Sequence, residues 1–173
     1  MYTSLDLALG EIEHALNVRL YYLALISTLS LIDICAALES ENGRSDKHAY
    51  IAWYDRHLSA QYSWLTGQDC YGIRCGMLHQ GVMDQSVRNM PRSRWDRIGF
   101  LLPDGNGNEF RQLAANNYYF TGLSEFCRDV SARVRTWSEA EKDNPVVKKN
   151  AANLMRFHPR GIKPYIDGIA VFS

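Results

Sequence analysis

Apolar side chains at Leu5, Leu9, Ile12 and Leu16 recur every three to four residues, with Glu11 and Glu13 off the stripe. That spacing predicts an amphipathic first helix with Ser4 as its candidate N-cap. The following segment, Val18 to Ser40, is apolar on nearly every side, which predicts a helix at the centre of a bundle. Residues 41–48, ENGRSDKH, read as a loop in which Ser45 caps a short aromatic helix through Tyr50, Trp53 and Tyr54. Asp69 is the candidate cap of a further helix carrying CYGIRCGMLHQG, residues 70–81, and Gly81 suits its C′ position.

After Met83 the rhythm changes. RIGFLLPDGNGNEFRQL, residues 97–113, has two apolar runs around a turn-rich centre and predicts a β-hairpin with a long loop. Helical periodicity returns at Leu123, Phe126, Val130, Val134 and Trp137. Asn144 and Pro145 form an N-cap and N1 pair for a helix running to about Arg156, and YIDGIAVFS at 165–173 predicts a terminal strand. The expected fold is mainly α: a helical bundle with a small β-hairpin or sheet element in its C-terminal half. With 173 residues and no repeat or low-complexity linker, one domain suffices.

Composition narrows the partners. Lys and Arg number 19, as do Asp and Glu, so no global field attracts nucleic acid or a membrane surface, and an anionic partner must be held by local patches. Leu20 to Ile32 carries no charge and resembles the start of a membrane span, but Asp33 interrupts it. An Asp at mid-membrane costs about 2.5 to 3.5 kcal/mol, so a buried helix without membrane insertion is expected. Cys35, Cys70, Cys75 and Cys127 form no C-x-x-C pair, which points to reduced thiols in a cytoplasmic protein. Cys70 and Cys75 fall on different sides of a helix, and no metal or other cofactor is expected.

The chemistry concentrates in residues 70–81. Cys70, Ile73 and Met77 share one helix face, while Gly72, Gly76 and His79 fall together on roughly the opposite one. Each interior glycine weakens a helix by about 1 kcal/mol relative to alanine, so the pair predicts a close approach, a cleft or an interface beside His79. Arg74 lies about 140° around the helix from His79 and about 7.5 Å along it. The two can converge on a substrate across the helix, or meet their twins from a second subunit at a two-fold axis. Histidine exchanges a proton near neutral pH, and a guanidinium offers forked donors to phosphate. Together they suit RNA cleavage by the ribose 2′-OH, although an Arg and a His on one helix also serve ordinary surface roles.

RCGMLH, with Arg74 and His79 separated by four residues on a helix, resembles the Arg-x4–6-His signature of HEPN-domain ribonucleases. The resemblance covers roughly residues 5 to 85; Cys75 stands where the family often has a polar residue. It implies a HEPN-like helical core over 1–85; the basic segment and β-hairpin over 86–120 and the helices and terminal strand over 121–173 lie outside it and are read from the sequence pattern alone. It also implies homodimerisation through the Arg74 and His79 helix, a composite site, and metal-independent cleavage of RNA. Such proteins serve as toxins, phage-defence effectors and RNA-processing factors, which admits an antitoxin or regulatory protein as a partner. A catalytically inactive HEPN-like module binding RNA, a nucleotide or a protein is the alternative.

Asp33, the one charge between Leu20 and Leu38, needs a partner. It could orient Arg74 or His79, or belong to a purely structural network. Downstream, Arg88, Arg92, Arg94 and Arg97 surround Trp95. The first three arginines and the indole are candidate substrate-binding residues, able to contact phosphates and stack on an unpaired base, or else are solvated loop residues. Lys148, Lys149, Arg156, Arg160 and Lys163 could extend that track or simply cover a surface.

Overall fold

The computed structural model describes residues 4–83 and 93–173. The first stripe forms α1 (Ser4–Asn17), which buries Leu5, Leu9, Ile12 and Leu16. The chain breaks at Arg19, whose φ is +62°, before α2 (Tyr21–Glu39) begins, so the second helix starts three residues later than its apolar run. α2 is long and apolar enough to cross a membrane by length and composition. It nevertheless packs against α1, α3 (Lys47–His57), α4 (Gly67–Gln80), α5 (Leu123–Ala140) and α6 (Pro145–Ala151). Leu29, Leu31, Ile32 and Cys35 are wholly buried among them.

Two caps differ from the sequence-based expectation by a residue or a turn. Asp46, not Ser45, caps α3, accepting from the Ala49 amide at 2.8 Å. Ser45 turns away and donates to Asp33 instead. Thr66, not Asp69, caps α4; Asp69 is the N3 member of a capping box, accepting from the Thr66 amide at 3.0 Å. Both carboxylate and hydroxyl thereby satisfy amides that a helix start leaves without partners.

The β element is a three-stranded sheet of order β1 (Arg97–Leu101), β3 (Tyr118–Gly122), β2 (Gln112–Ala115). The two runs expected to form a hairpin do not pair. β1 runs parallel to β3, and the hairpin joins β2 to β3 through Asn116 and Asn117. Both asparagines have positive φ, 49° and 62°, as a tight two-residue hairpin turn requires. Tyr119 and Thr121 point inward, and Phe100 meets Phe126 of α5 at 5.3 Å.

α6 starts at the Asn144–Pro145 pair as expected but ends at Ala151, well short of Arg156. Asn150 donates to the carbonyls of Leu38 at 3.0 Å and Ser40 at 2.7 Å, tying α6 to the end of α2. The expected terminal strand is divided. Ile166–Asp167 pairs with Gly161–Ile162, Val171–Phe172 pairs with Phe157–His158, and Gly168, at φ +79°, turns the chain between them.

Candidate functional site

Everything at the site hangs on α4. Its capping box anchors the N-terminus, and Cys70, Ile73 and Met77 bind it to the core. Gly72 and Gly76 are buried as well, so the face expected to open as a cleft is covered. At Gly76 the cause is the chain itself. Gly81 adopts φ +68° and folds the chain back, so that the Val82 amide reaches the Gly76 carbonyl at 3.3 Å. A Cβ on Gly76 would lie 2.3 Å from the Val82 carbonyl oxygen. The missing side chain therefore makes room for an intramolecular helix stop rather than for a partner.

Arg74 and Asp33 form an ion pair between α4 and α2. The Asp33 carboxylate also accepts a hydrogen bond from Ser45 at 2.9 Å, so it both orients Arg74 and ties down the loop before α3. The second terminal guanidinium nitrogen of Arg74 donates to Cys75 Sγ at 3.7 Å, and its buried Nε–H has no acceptor among the described residues. Burial alone would lower the Arg74 pKa, but the Cys75 contact and the Asp33 charge outweigh it and raise the value. The side chain keeps 23% of its surface exposed, enough for a ligand to reach. Near it lies Tyr50, fully buried, its hydroxyl without a hydrogen-bond partner among the described residues and its ring edge-on to Tyr71 at 5.4 Å. Burial, then the nearby Cys70 and Asp33, raises the Tyr50 pKa and keeps the phenol neutral.

His79 sits in the last turn of α4 and is exposed. It makes no hydrogen bond or ion pair with another described residue, Arg74 included. Within one chain the two residues share a helix but not a contact. Leu78, 40% exposed, and Tyr22, 55% exposed, lie on the neighbouring surface, with the Tyr22 hydroxyl 3.5 Å from the Met77 carbonyl.

Arg88 and Arg92 lie outside the described residues. Trp95 is half-buried: its ring stacks on Tyr119 at 5.6 Å, and its Nε1 donates to the Trp64 carbonyl at 2.6 Å. Arg94 places its guanidinium over the same indole, 4.7 Å from the centroid. Trp64 and Tyr119, which hold Trp95, carried no signal of their own in the sequence; their role comes from packing. In the second basic cluster, Lys148 pairs with Asp143 at 2.9 Å and Lys163 with Asp167 at 3.3 Å.

No protein-family model matches the sequence, and neither a curated protein nor a solved structure shows significant similarity to the chain.

Proposed function

We propose that the chain is a metal-independent endoribonuclease of the HEPN type, acting as a homodimer that gathers Arg74 and His79 from two copies of α4. The Asp33–Arg74 ion pair carries this reading, because it holds a partly exposed guanidinium in a defined direction on the helix whose last turn bears an exposed imidazole. His79 takes the proton from the ribose 2′-OH, the 2′-oxygen bonds to phosphorus, and the P–O5′ bond breaks. The leaving 5′-oxygen takes up a proton, which the second imidazole supplies. Arg74 keeps Asp33 on one terminal nitrogen and Cys75 on the other, and offers the second N–H of each to the phosphoryl oxygens. The products are a 2′,3′-cyclic phosphate and a 5′-hydroxyl. A toxin or phage-defence role in the cytoplasm, with an antidote protein as partner, fits such an activity.

The engagement of Arg74 by both Asp33 and Cys75 favours a second reading, a non-cleaving module that binds RNA, a nucleotide or a protein. Incubation with structured and single-stranded RNA in excess chelator separates the two. Cyclic phosphate ends that vanish in Arg74→Ala and His79→Ala support the nuclease; RNA binding without cleavage supports the module. Undiminished cleavage by His79→Ala would remove the histidine from the mechanism.

A further inference from the structure

The sheet has a second face that the core does not use. Along the central strand β3, Tyr119 and Thr121 are buried, so alternation sends Tyr118 and Phe120 to the other side. Their rings are parallel within 7° and 6.4 Å apart. Across from Phe120 stand Gly99 on β1 and Leu113 on β2; across from Tyr118 stand Arg97 and Ala115. A Cβ on Gly99 would lie 2.7 Å from the Phe120 ring, whose Cδ1–Cε1 edge faces a glycine that leaves it room. Leu113 is 53% exposed and Tyr118 38%. Solvated sheet faces ordinarily carry polar residues, and two aligned aromatics on the middle strand are the opposite.

Charge selects the occupant. Arg97, exposed and beside Tyr118, has no ion-pair partner among the described residues. At the far end of the sheet Glu109 and Glu125 are neutralised by Arg128 and Arg111. Asp104 is turned into its own loop by Asn106 and Asn108, which leaves Asp96 as the acid adjoining Arg97.

We propose that this face, built on Tyr118 and Phe120, is a stacking platform for an unpaired stretch of RNA, with Arg97 meeting its phosphates. Parallel apolar rings flanked by a cation match alternating base and phosphate, and stacking on aromatics tolerates any base. The inference rests on the reading of RNA as substrate and adds a site, remote in sequence from Arg74 and His79, that would hold the strand.

Fluorescence anisotropy with a labelled single-stranded 12-mer RNA, in chelator and on the full chain, tests it. Tyr118→Ser with Phe120→Ser is expected to weaken binding at least tenfold while circular dichroism and the oligomer mass stay unchanged. Tyr118→Phe with Phe120→Tyr should restore the affinity, and Arg97→Glu should weaken it and flatten its salt dependence. Photo-crosslinking of iodouridine RNA should label residues 112–122 in the wild type. Unchanged affinity in the folded serine variant overturns the platform, as does a shift of oligomer mass, which would give the face to a second copy. A wild type that binds RNA through this face yet cleaves none removes the nuclease reading and leaves the platform standing.

Discussion

Asp33, a turn and a half before the end of α2, clasps the Arg74 guanidinium of α4 and at the same time accepts from Ser45. One carboxylate thus joins two helices and the intervening loop at the margin of the core. A charge in so apolar a helix is tolerable only because both of its partners are in place.

Removing one member of this pair leaves the other partly buried and uncompensated. Asp33→Leu and Arg74→Leu should each lower stability by about 1 to 3 kcal/mol, while the double variant should lose less than the sum of the singles. Urea unfolding of the four proteins measures the coupling. Strict additivity would mean that the ion pair contributes nothing.

Two helical glycines should respond to alanine with opposite signs. Gly10, on the exposed side of α1, has nothing within 4 Å of an added Cβ, so Gly10→Ala should gain up to about 1 kcal/mol. Gly76→Ala should lose stability despite the better propensity, because the Val82 carbonyl stands 2.3 Å from the new carbon. Thermal melts of both variants decide the matter, and a stabilised Gly76→Ala would show that the helix stop is not needed.

His57 predicts a pH effect on folding. Burial lowers its pKa, and the approach of Glu39 at 3.9 Å only partly opposes this. The unfolded chain then takes up its proton first as pH falls. The stability from keeping His57 neutral is full above about pH 6.5, declines as pH drops through the lower folded value, and levels off below it. Melting temperature against pH should therefore fall less steeply from pH 7 to pH 5 in His57→Gln than in the wild type.

The thiols should be quiet in the native state. Burial raises the pKa of Cys35, Cys70 and Cys127, the last to about 12. Alkylation at pH 8 should reach these three only on the timescale of unfolding, and adding denaturant should expose them. Rapid labelling of Cys127 without denaturant would contradict its burial.

Local signals were the legible ones. The stripe of α1, the stripe of α5, the Asn144–Pro145 start of α6 and Gly81 as the end of α4 each depend on residues within a turn or two of one another. Cap positions slipped because Ser45 and Asp46, or Thr66 and Asp69, are equally competent acceptors. Tertiary contacts chose between them: Ser45 went to Asp33, and Asp69 closed the box on Thr66. The sheet was misread for a related reason. Asn116–Asn117 is a turn in its own right, and the parallel partnership of β1 with β3 spans a connection whose sequence records no pairing.

Alternating and helical periodicities in the amino acids were enough to establish a mainly helical chain with a buried second helix, since burial of one apolar face is a local property of spacing. They also marked Asp33 as a charge in need of a partner and the Gly72–Gly76 face as one that something must approach. Which group met Asp33, and that Val82 fills the space at Gly76, depended on helix rotation and on how the chain folds back upon itself. Those relationships belong to packing between segments distant in sequence, where many arrangements have the same local pattern and only the assembled core selects one.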